Sequence, residues 1–315
     1  MGIAHRHPRL ESALSALLTG KRAIVGPRIP LHSRVDSQSP VFVVGSGRSG
    51  TTLVRRLLVA SDQLFIPAET VVLGPTIRRF RKLAYLRWPD LVKQTLASFE
   101  YHDVFADLEV ASLRPLVADM MKVPRNERSL ARLLDSMYSF IASQFERTEV
   151  RWGDKTPDNV YWLDDLHSVF PSAQFVNVVR DGVDVVSSFL AADLYQDVAA
   201  AAHRWVVTTR AAERFELNHP DSVFTIRYER LVTDPESELE AVCRFLGLRY
   251  TSAMLDLGDL SHMPDLDRHE SLVQVKRPVF ADSIGRGRRQ LSPSDSDIMR
   301  PIIEDRLVEL GYAPL

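Results

Sequence analysis

A glycine-rich loop between an apolar strand and an amphipathic helix constrains this chain more than any other feature. Residues 41–44 are four consecutive apolar residues, which predict a short buried strand. Three glycines follow, Gly45, Gly47 and Gly50, and from Leu53 onward leucine and valine recur at helical spacing. In such a unit the N–H groups of the loop and the positive end of the helix dipole converge on an anion. The sequence therefore predicts a phosphate-binding loop here.

The loop departs from the nucleotide-binding P-loop at one position. The spacing Gly45-x4-Gly50 matches the start of that motif, but Thr51 stands where the motif requires lysine. The lysine of a P-loop reaches the β- and γ-phosphates, so its replacement predicts a ligand without a triphosphate.

Composition and charge narrow the function classes. The 315 residues carry a net charge of −2, which gives no global attraction for nucleic acid or for an anionic membrane. Cys243 is the single cysteine, so an internal disulfide is ruled out. No apolar run reaches the length of a transmembrane helix, and the N-terminus lacks the apolar core of a signal peptide. We therefore expect no nucleic-acid partner, no integral membrane segment and a cytoplasmic location.

Strand and helix patterns alternate along the rest of the chain. Apolar runs predict strands at 63–67, 174–179 and 223–228, and helical periodicity covers 76–147 and 235–246. This alternation is typical of an α/β fold with a parallel sheet, whose ligands bind outside the carboxyl ends of the strands. We expect a P-loop-like central parallel sheet flanked by helices.

The chain is expected to divide at residue 40. Residues 1–39 combine one short amphipathic helix with a linker that contains prolines and serines, and the stretch is locally basic. We interpret it as a lead-in segment, either a solvated arm or a docking arm. Residues 40–315 are predicted to form a single domain.

Two further features point to a second anion. Arg180 directly follows the predicted strand 174–179, and Ser188 lies in the helix after it. The stretch 283–289 reads Ser-Ile-Gly-Arg-Gly-Arg-Arg. Guanidinium groups bind oxyanions in bidentate fashion, while glycine lets backbone N–H groups approach the same anion. Two phosphate sites without the P-loop lysine describe a nucleotide that is phosphorylated at two places.

In their order from about Val41 to Pro293, these motifs resemble the sulfotransferases that use 3′-phosphoadenosine 5′-phosphosulfate (PAPS). The similarity is greatest to the tyrosylprotein-sulfotransferase-like branch and its bacterial relatives. The stretch Gly47-Arg-Ser-Gly-Thr-Thr-Leu53 is similar to the family's loop for the 5′-phosphosulfate. The resemblance implies that PAPS is the donor and that it is bound by the loop residues Gly47, Arg48, Ser49, Gly50, Thr51 and Thr52.

Two more motifs imply the groups that act on the reacting atoms. Pro67-Ala-Glu-Thr70 resembles the segment that holds the family's catalytic acidic residue. The resemblance implies that the carboxylate of Glu69 acts as the general base. Asp154-Lys-Thr-Pro157 resembles the lysine motif near the leaving group, which implies that Lys155 is catalytic.

The remaining matches concern the nucleotide. Arg180 and Ser188 resemble the 3′-phosphate motif, and Tyr228 matches the tyrosine that lies near the adenosine. Ser271 and Arg286 stand at the spacing of a serine and a basic residue of the branch. The resemblance implies that Ser271 donates a hydrogen bond near the transferring group and that Arg286 binds the donor.

The implied mechanism needs no metal. Glu69 would take the proton from an acceptor hydroxyl as that oxygen attacks sulfur, while Arg48 and Lys155 offset charge on the bridging oxygen and the departing phosphate. No cluster of histidine, cysteine and carboxylate residues has metal-ligand spacing, so none is expected to bind a metal ion. The acceptor stays open: a hydroxyl-bearing small molecule, lipid, glycan or peptide.

The chain departs from the branch at several positions. Arg286 replaces a lysine, Gly287 replaces an aromatic residue, and the residues after Glu69 lack the charged neighbours of the peptide-modifying enzymes. An acidic tyrosine peptide is therefore not the expected acceptor. The basic cluster at 78–87 either forms a solvated helix face or attracts an anionic acceptor.

Two other functions compete with sulfuryl transfer. A P-loop kinase or NTPase would use Asp181 as a magnesium ligand, although Thr51 in the lysine position argues against it. A non-catalytic nucleotide-binding protein of the same fold is the other alternative.

Overall fold

Among the residues that the structure describes, five parallel strands form a central sheet. The computed structural model describes residues 8–26, 28–33, 39–148, 150–256, 263, 265–268 and 275–315. The strand order is β2-β3-β1-β4-β5, and every pair is parallel. The strands are β1 (Val41–Gly45), β2 (Leu64–Phe65), β3 (Arg151–Lys155), β4 (Gln174–Val179) and β5 (Val223–Arg227). This sheet confirms the predicted α/β fold.

Helices flank the sheet on both faces. In the first half of the chain they are α1 (Pro8–Val25), α2 (Thr51–Val59), α3 (Leu73–Leu83), α4 (Trp88–Glu100), α5 (Arg114–Lys122), α6 (Leu130–Ser143) and α7 (Leu163–Val169). In the second half they are α8 (Gly182–Ala191), α9 (Val198–Asn218), α10 (Tyr228–Thr233), α11 (Pro235–Leu246), α12 (Asp265–Arg268), α13 (Arg286–Gln290) and α14 (Pro293–Glu309). Short 3₁₀ turns join them at Asp103–Leu108, Arg125–Glu127, Pro157–Trp162, Pro220–Ser222 and Ser252–Leu255.

The central strand β1 separates two apolar cores. Alternate side chains of a strand point to opposite faces of its sheet. Phe42 packs with Phe175 of β4 on one face, with ring centroids 5.4 Å apart, whereas Val43 packs with Val176 and Val178 on the other. Burial on both faces explains why β1 appears in the sequence as an uninterrupted apolar run and β4 as an apolar run broken by Asn177.

Strand β3 was not predicted, and its composition explains why. The sequence Arg-Trp-Gly-Asp-Lys is polar, yet Asp154 and Lys155 are fully buried in it. In register, Val43 of β1 lies opposite Lys155, and Gly45 of the same strand lies opposite Val178. The strand order reverses at β1, so the loop after it opens into the crevice where ligands of such sheets bind.

Part of the predicted lead-in packs on the rest of the molecule. Arg22 of α1 donates from Nε to the carbonyl of Tyr85 at 3.0 Å, and the N–H of Ile29 donates to the carbonyl of Ala84 at 2.8 Å. The division at residue 40 and the single domain beyond it stay predictions. Within the described residues, the helices are too short or too polar to cross a membrane.

Candidate active site

The loop after β1 contains a glycine in the left-handed region and two buried serine hydroxyls. Gly50 has φ +99°, a left-handed value that favours glycine, and a Cβ there would stand 2.5 Å from Cδ2 of Tyr228. The hydroxyls of Ser46 and Ser49 are buried, and within the described part of the chain neither has a hydrogen-bond partner. Buried hydroxyls normally find a partner, so this loop is suited to receive an oxyanion.

Glu69 and Lys155, which the sequence analysis assigned to separate roles, are in direct contact. The ammonium of Lys155, at the carboxyl end of β3, donates to Oε1 of Glu69 and also to Oγ1 of Thr52, the latter at 3.1 Å. The Lys155 side chain is 1% exposed and that of Glu69 is 38% exposed. One cation therefore joins the phosphate-binding loop to a carboxylate that remains open to solvent.

A second group of residues forms a positive site beside the loop. Arg48 donates from Nε to Oγ of Ser188 at 3.1 Å, and Arg180 donates to the carbonyls of Arg48 at 3.2 Å and Ser283 at 2.9 Å. Burial lowers the pKa of Arg48, and the nearby charge of Arg180 lowers it further. The buried Nε of Arg180 has no hydrogen-bond partner among the described residues. An anion bound between these guanidinium groups would relieve their repulsion.

Tyr228 contacts both the phosphate-binding loop and Arg180. The guanidinium carbon of Arg180 lies 4.4 Å from the centroid of the Tyr228 ring, and the phenol oxygen is 2.7 Å from Oγ of Ser283. The ring edge lies against Gly50, so this tyrosine supports the loop as well as Arg180. The strand predicted to contain Tyr228 ends one residue earlier, and Tyr228 begins α10.

The stretch 283–289 is fixed on the first turn of α8. The carboxylate of Asp184 accepts from the N–H groups of Gly285 at 2.8 Å and Gly287 at 2.7 Å. A Cβ on Gly287 would stand 2.5 Å from the carbonyl oxygen of Val183, which explains why an aromatic residue has no room here. Arg286, between these glycines, is exposed and lies on the same segment as Ser283.

One expected site residue falls where the structure gives no description, and some contacts near the site were not predicted. Ser271 lies outside the described residues. Buried Arg55 of α2 binds both carboxylate oxygens of Asp265, at 2.5 and 3.0 Å, and its neighbour Arg56 donates to the carbonyls of Val275 and Arg277. Two adjacent arginines on the inner face of an apolar helix were the only sequence signal for these contacts.

Three of the five cations in the basic cluster at 78–87 form ion pairs within the protein itself. Arg78 and Arg81 both pair with Asp165 of α7, at 2.9 and 2.8 Å, and Arg87 pairs with Asp90. The guanidinium of Arg78 also lies 4.4 Å from the centroid of the Trp162 ring. These contacts hold Arg78 and Arg81 against α7, while the cluster as a whole keeps an excess of positive charge. No group of three or more potential metal ligands occurs among the residues that the structure describes.

Comparison with known proteins agrees with this geometry. The family model described as the sulfotransferase family matches residues 40–252. A putative protein-tyrosine sulfotransferase of Caenorhabditis briggsae is 24% identical over 253 residues, covering 76% of this chain and 77% of that protein. The omega-hydroxy-beta-dihydromenaquinone-9 sulfotransferase Stf3 of Mycobacterium bovis is 24% identical over 278 residues, covering 76% and 70%.

A solved structure shows the same fold. The sulfotransferase domain from the curacin biosynthetic pathway superposes with a TM-score of 0.57 at 18% identity, covering 92% of this chain and all of that one. The family match spans more than half of the sequence and contains the phosphate-binding loop, Glu69, Lys155 and Arg180. The chain belongs to the sulfotransferase family.

Proposed function

We propose that this enzyme transfers a sulfuryl group from PAPS to an acceptor hydroxyl, with Glu69 as the general base. The observation that carries the proposal is the position of Lys155, whose ammonium contacts both Glu69 and Thr52. Thr52 belongs to the phosphate-binding loop, so this cation lies where the acceptor-activating carboxylate and the donor's 5′ end would meet.

The proposed reaction is an in-line displacement. The acceptor oxygen forms a bond to sulfur as the bond between sulfur and the bridging oxygen of PAPS breaks. The acceptor proton passes to Glu69, and the bridging oxygen leaves with its electron pair on the 5′-phosphate of adenosine 3′,5′-bisphosphate. Lys155 offsets the charge on that oxygen, and Ser271 stays a predicted hydrogen-bond donor. Positioning and charge stabilisation supply most of the acceleration in transfers of this kind.

The two anion sites are assigned to the two ends of the donor. The loop residues Gly47 and Ser49 to Thr52 would hold the 5′-phosphosulfate, and Arg180 with Ser188 would hold the 3′-phosphate. Arg48 donates to Ser188, which favours a role at the 3′-phosphate over its predicted role at the leaving group. Tyr228 and Arg286 are proposed to lie along the nucleotide, and the chemistry requires no metal ion.

The acceptor is proposed to be a hydroxyl compound without a strongly acidic flank. Val71 and Val72, which lie just after Glu69 and Thr70, are half-buried and apolar, and Arg78 and Arg81 of α3 are paired with Asp165. The relatives are named for protein tyrosine and for a hydroxylated menaquinone, which are both hydroxyl acceptors. A small molecule, lipid, glycan or peptide fits this description. The cytoplasmic location stays a prediction.

Donor recognition is tested with two nucleotides and one variant. Calorimetry should show that wild-type protein binds adenosine 3′,5′-bisphosphate and does not bind ATP with magnesium. Arg180→Ala should weaken bisphosphate binding by about 10- to 100-fold, because a charge-assisted contact is lost. It should leave the weaker binding of adenosine 5′-monophosphate unchanged. Arg210→Ala, which removes an exposed arginine paired with Glu309, is the matched control.

Catalysis is tested with radiolabelled PAPS. We expect label to reach at least one hydroxyl compound in a panel of a phenol, a polyprenol, a monosaccharide, a tyrosine peptide and a cell extract. Binding of ATP but not of the bisphosphate would support the kinase alternative and overturn the proposal. Bisphosphate binding without any label transfer would support a non-catalytic binding protein.

A further inference from the structure

A buried polar network lies directly beneath Glu69. The next residue, Thr70, donates from Oγ1 to Oδ2 of Asp154 at 2.8 Å, and its N–H donates to Oγ1 of Thr156 at 3.2 Å. Tyr138 donates to the same Asp154 oxygen at 2.9 Å, and Asn159 donates from Nδ2 to the other at 2.7 Å. All five residues are at most 2% exposed. No cation pairs with the Asp154 carboxylate in the described part of the chain.

The chain bends sharply just after this network. Val71 has φ +47°, and the N–H of Val72 lies 2.5 Å from the carbonyl oxygen of Thr70. A β-branched residue in the left-handed region is rare and strained, so surrounding contacts must hold it. On the other side of Glu69, Nε of Arg55 donates to the carbonyl of Ile66 at 2.9 Å. The segment that carries Glu69 is therefore fixed at both of its ends.

Asp154 is a buried carboxylate, and packing alone does not explain a charged group at this position. An uncompensated carboxylate in the interior destabilises a protein unless hydrogen bonds replace its hydration. Burial raises the pKa of Asp154, and hydrogen bonds from Thr70 and Tyr138 counteract that shift. Asp154 also precedes Lys155 in β3, so one short strand supplies both the cation that contacts Glu69 and the carboxylate that anchors the residue after it.

We propose that Asp154 and Thr70 are positioning residues that fix the Glu69 carboxylate in the orientation for proton abstraction. The inference rests on the proposed general-base role of Glu69 and extends it to the support beneath the base. Thr70 is joined to Glu69 by the peptide bond and to the Asp154 carboxylate by the hydrogen bond from its hydroxyl. Thr156 accepts from the N–H of the peptide unit between Glu69 and Thr70. Misplacement of a catalytic group by about 1 Å can lower a rate by about 100-fold, so such support is functionally significant.

The test uses two substitutions at one position. Thr70→Val keeps the shape of the side chain and removes the hydroxyl, whereas Thr70→Ser keeps the hydroxyl. We expect Thr70→Val to lower turnover of radiolabelled PAPS, measured as transfer to phenols and as hydrolysis, by about 10- to 100-fold. Thr70→Ser should stay near the wild-type rate, and both variants should bind adenosine 3′,5′-bisphosphate like wild type. Thr208→Val, another buried threonine, on α9, is the control and should turn over normally.

The acidity of the acceptor separates positioning from general damage. An acidic phenol such as 4-nitrophenol needs little help from a base, whereas unsubstituted phenol needs more. The loss in Thr70→Val should therefore be larger with phenol. Adding Asp154→Asn to Thr70→Val should lower turnover little further, because residues of one network act non-additively.

The outcomes distinguish this inference from the proposal beneath it. Wild-type turnover in Thr70→Val, or equal losses in turnover and bisphosphate binding, would overturn the positioning role. If the Thr70→Val test fails in this way but Glu69→Gln is inactive in the same assay, only the positioning role is overturned and the proposed function stands. If Glu69→Gln is fully active, the general-base assignment fails and the positioning role fails with it.

Discussion

Replacing Lys155 by methionine should separate the activity of this enzyme from its stability. The ammonium is buried, and its partners are the Thr52 hydroxyl and a carboxylate that is 38% exposed. Methionine has a similar length and is apolar, so it fills the same space without a charge. The variant therefore removes the cation and leaves the packing of β3 nearly unchanged.

The contacts of Lys155 allow the sign of the stability change to be worked out. Loss of the hydrogen bond to Thr52 costs about 0.5–1.5 kcal/mol, and loss of an ion pair with a partly exposed partner costs about 0–1 kcal/mol. The substitution also removes the cost of burying the Lys155 ammonium, which is several kcal/mol, and this change stabilises the variant. Glu69 can be hydrated once its partner is gone. We expect the free energy of unfolding to stay equal or to rise by about 1–3 kcal/mol.

The activity should change in the opposite direction. A fixed donor that stabilises developing charge contributes about 10²–10³-fold to a rate, so transfer from radiolabelled PAPS should fall by that factor. Urea denaturation measures the stability of the same protein preparation. Lys122→Met, which removes an exposed lysine paired with Asp119, should change neither quantity measurably. A loss of more than about 1 kcal/mol in Lys155→Met, toward the roughly 3–5 kcal/mol expected for a broken buried ion pair, would refute this reasoning.

Three further changes test other parts of the structure. Gly50→Ala should lower the free energy of unfolding by about 1–3 kcal/mol, because it combines a left-handed φ with a contact against Tyr228. Gly247→Ala has a similar φ but open space around it, so urea denaturation should show a smaller loss. Asp165→Asn frees the α3 arginines and should raise the rate with an acidic tyrosine peptide relative to a neutral phenol; an unchanged ratio would place those arginines away from the acceptor. Burial and the charge of a neighbouring histidine lower the pKa of His167, so its stabilising contribution is present above pH 6.5 and lost as pH falls. His167→Gln should flatten this loss in melting temperatures measured between pH 7 and pH 5, and an unaltered profile would exclude His167 as its source.

The strands predicted from the sequence are those whose buried positions are occupied mainly by apolar residues. β1, β4 and β5 consist mainly of valine, phenylalanine and isoleucine, so their periodicity was sufficient. β3 contains Asp154 and Lys155 in buried positions, and a polar strand gives no such signal. Its charges are buried because they belong to the site, where local sequence rules commonly fail.

Parts of the candidate site followed from the sequence and parts did not. The glycine-rich loop and Arg180 could be located from pattern, since each directly follows an apolar strand. The roles of Glu69 and Lys155 came only from the resemblance, and their contact was not predicted, because 86 residues separate them. The hydrogen bond from Thr70 to Asp154 and the ion pairs to Asp165 join residues at similar separations along the chain. No local sequence pattern predicts these contacts. Contacts of this range depend on the strand order, which places β3 beside β1.

The most direct test of the account compares Glu69→Gln with wild type. Glutamine keeps the size of the side chain and an oxygen that can accept from Lys155, but it is not a base at neutral pH. Transfer from radiolabelled PAPS to a hydroxyl acceptor should fall by about 10²–10⁴-fold, while the dissociation constant for adenosine 3′,5′-bisphosphate stays unchanged. Transfer by Glu69→Gln at the wild-type rate would contradict the assignment of Glu69 as the base.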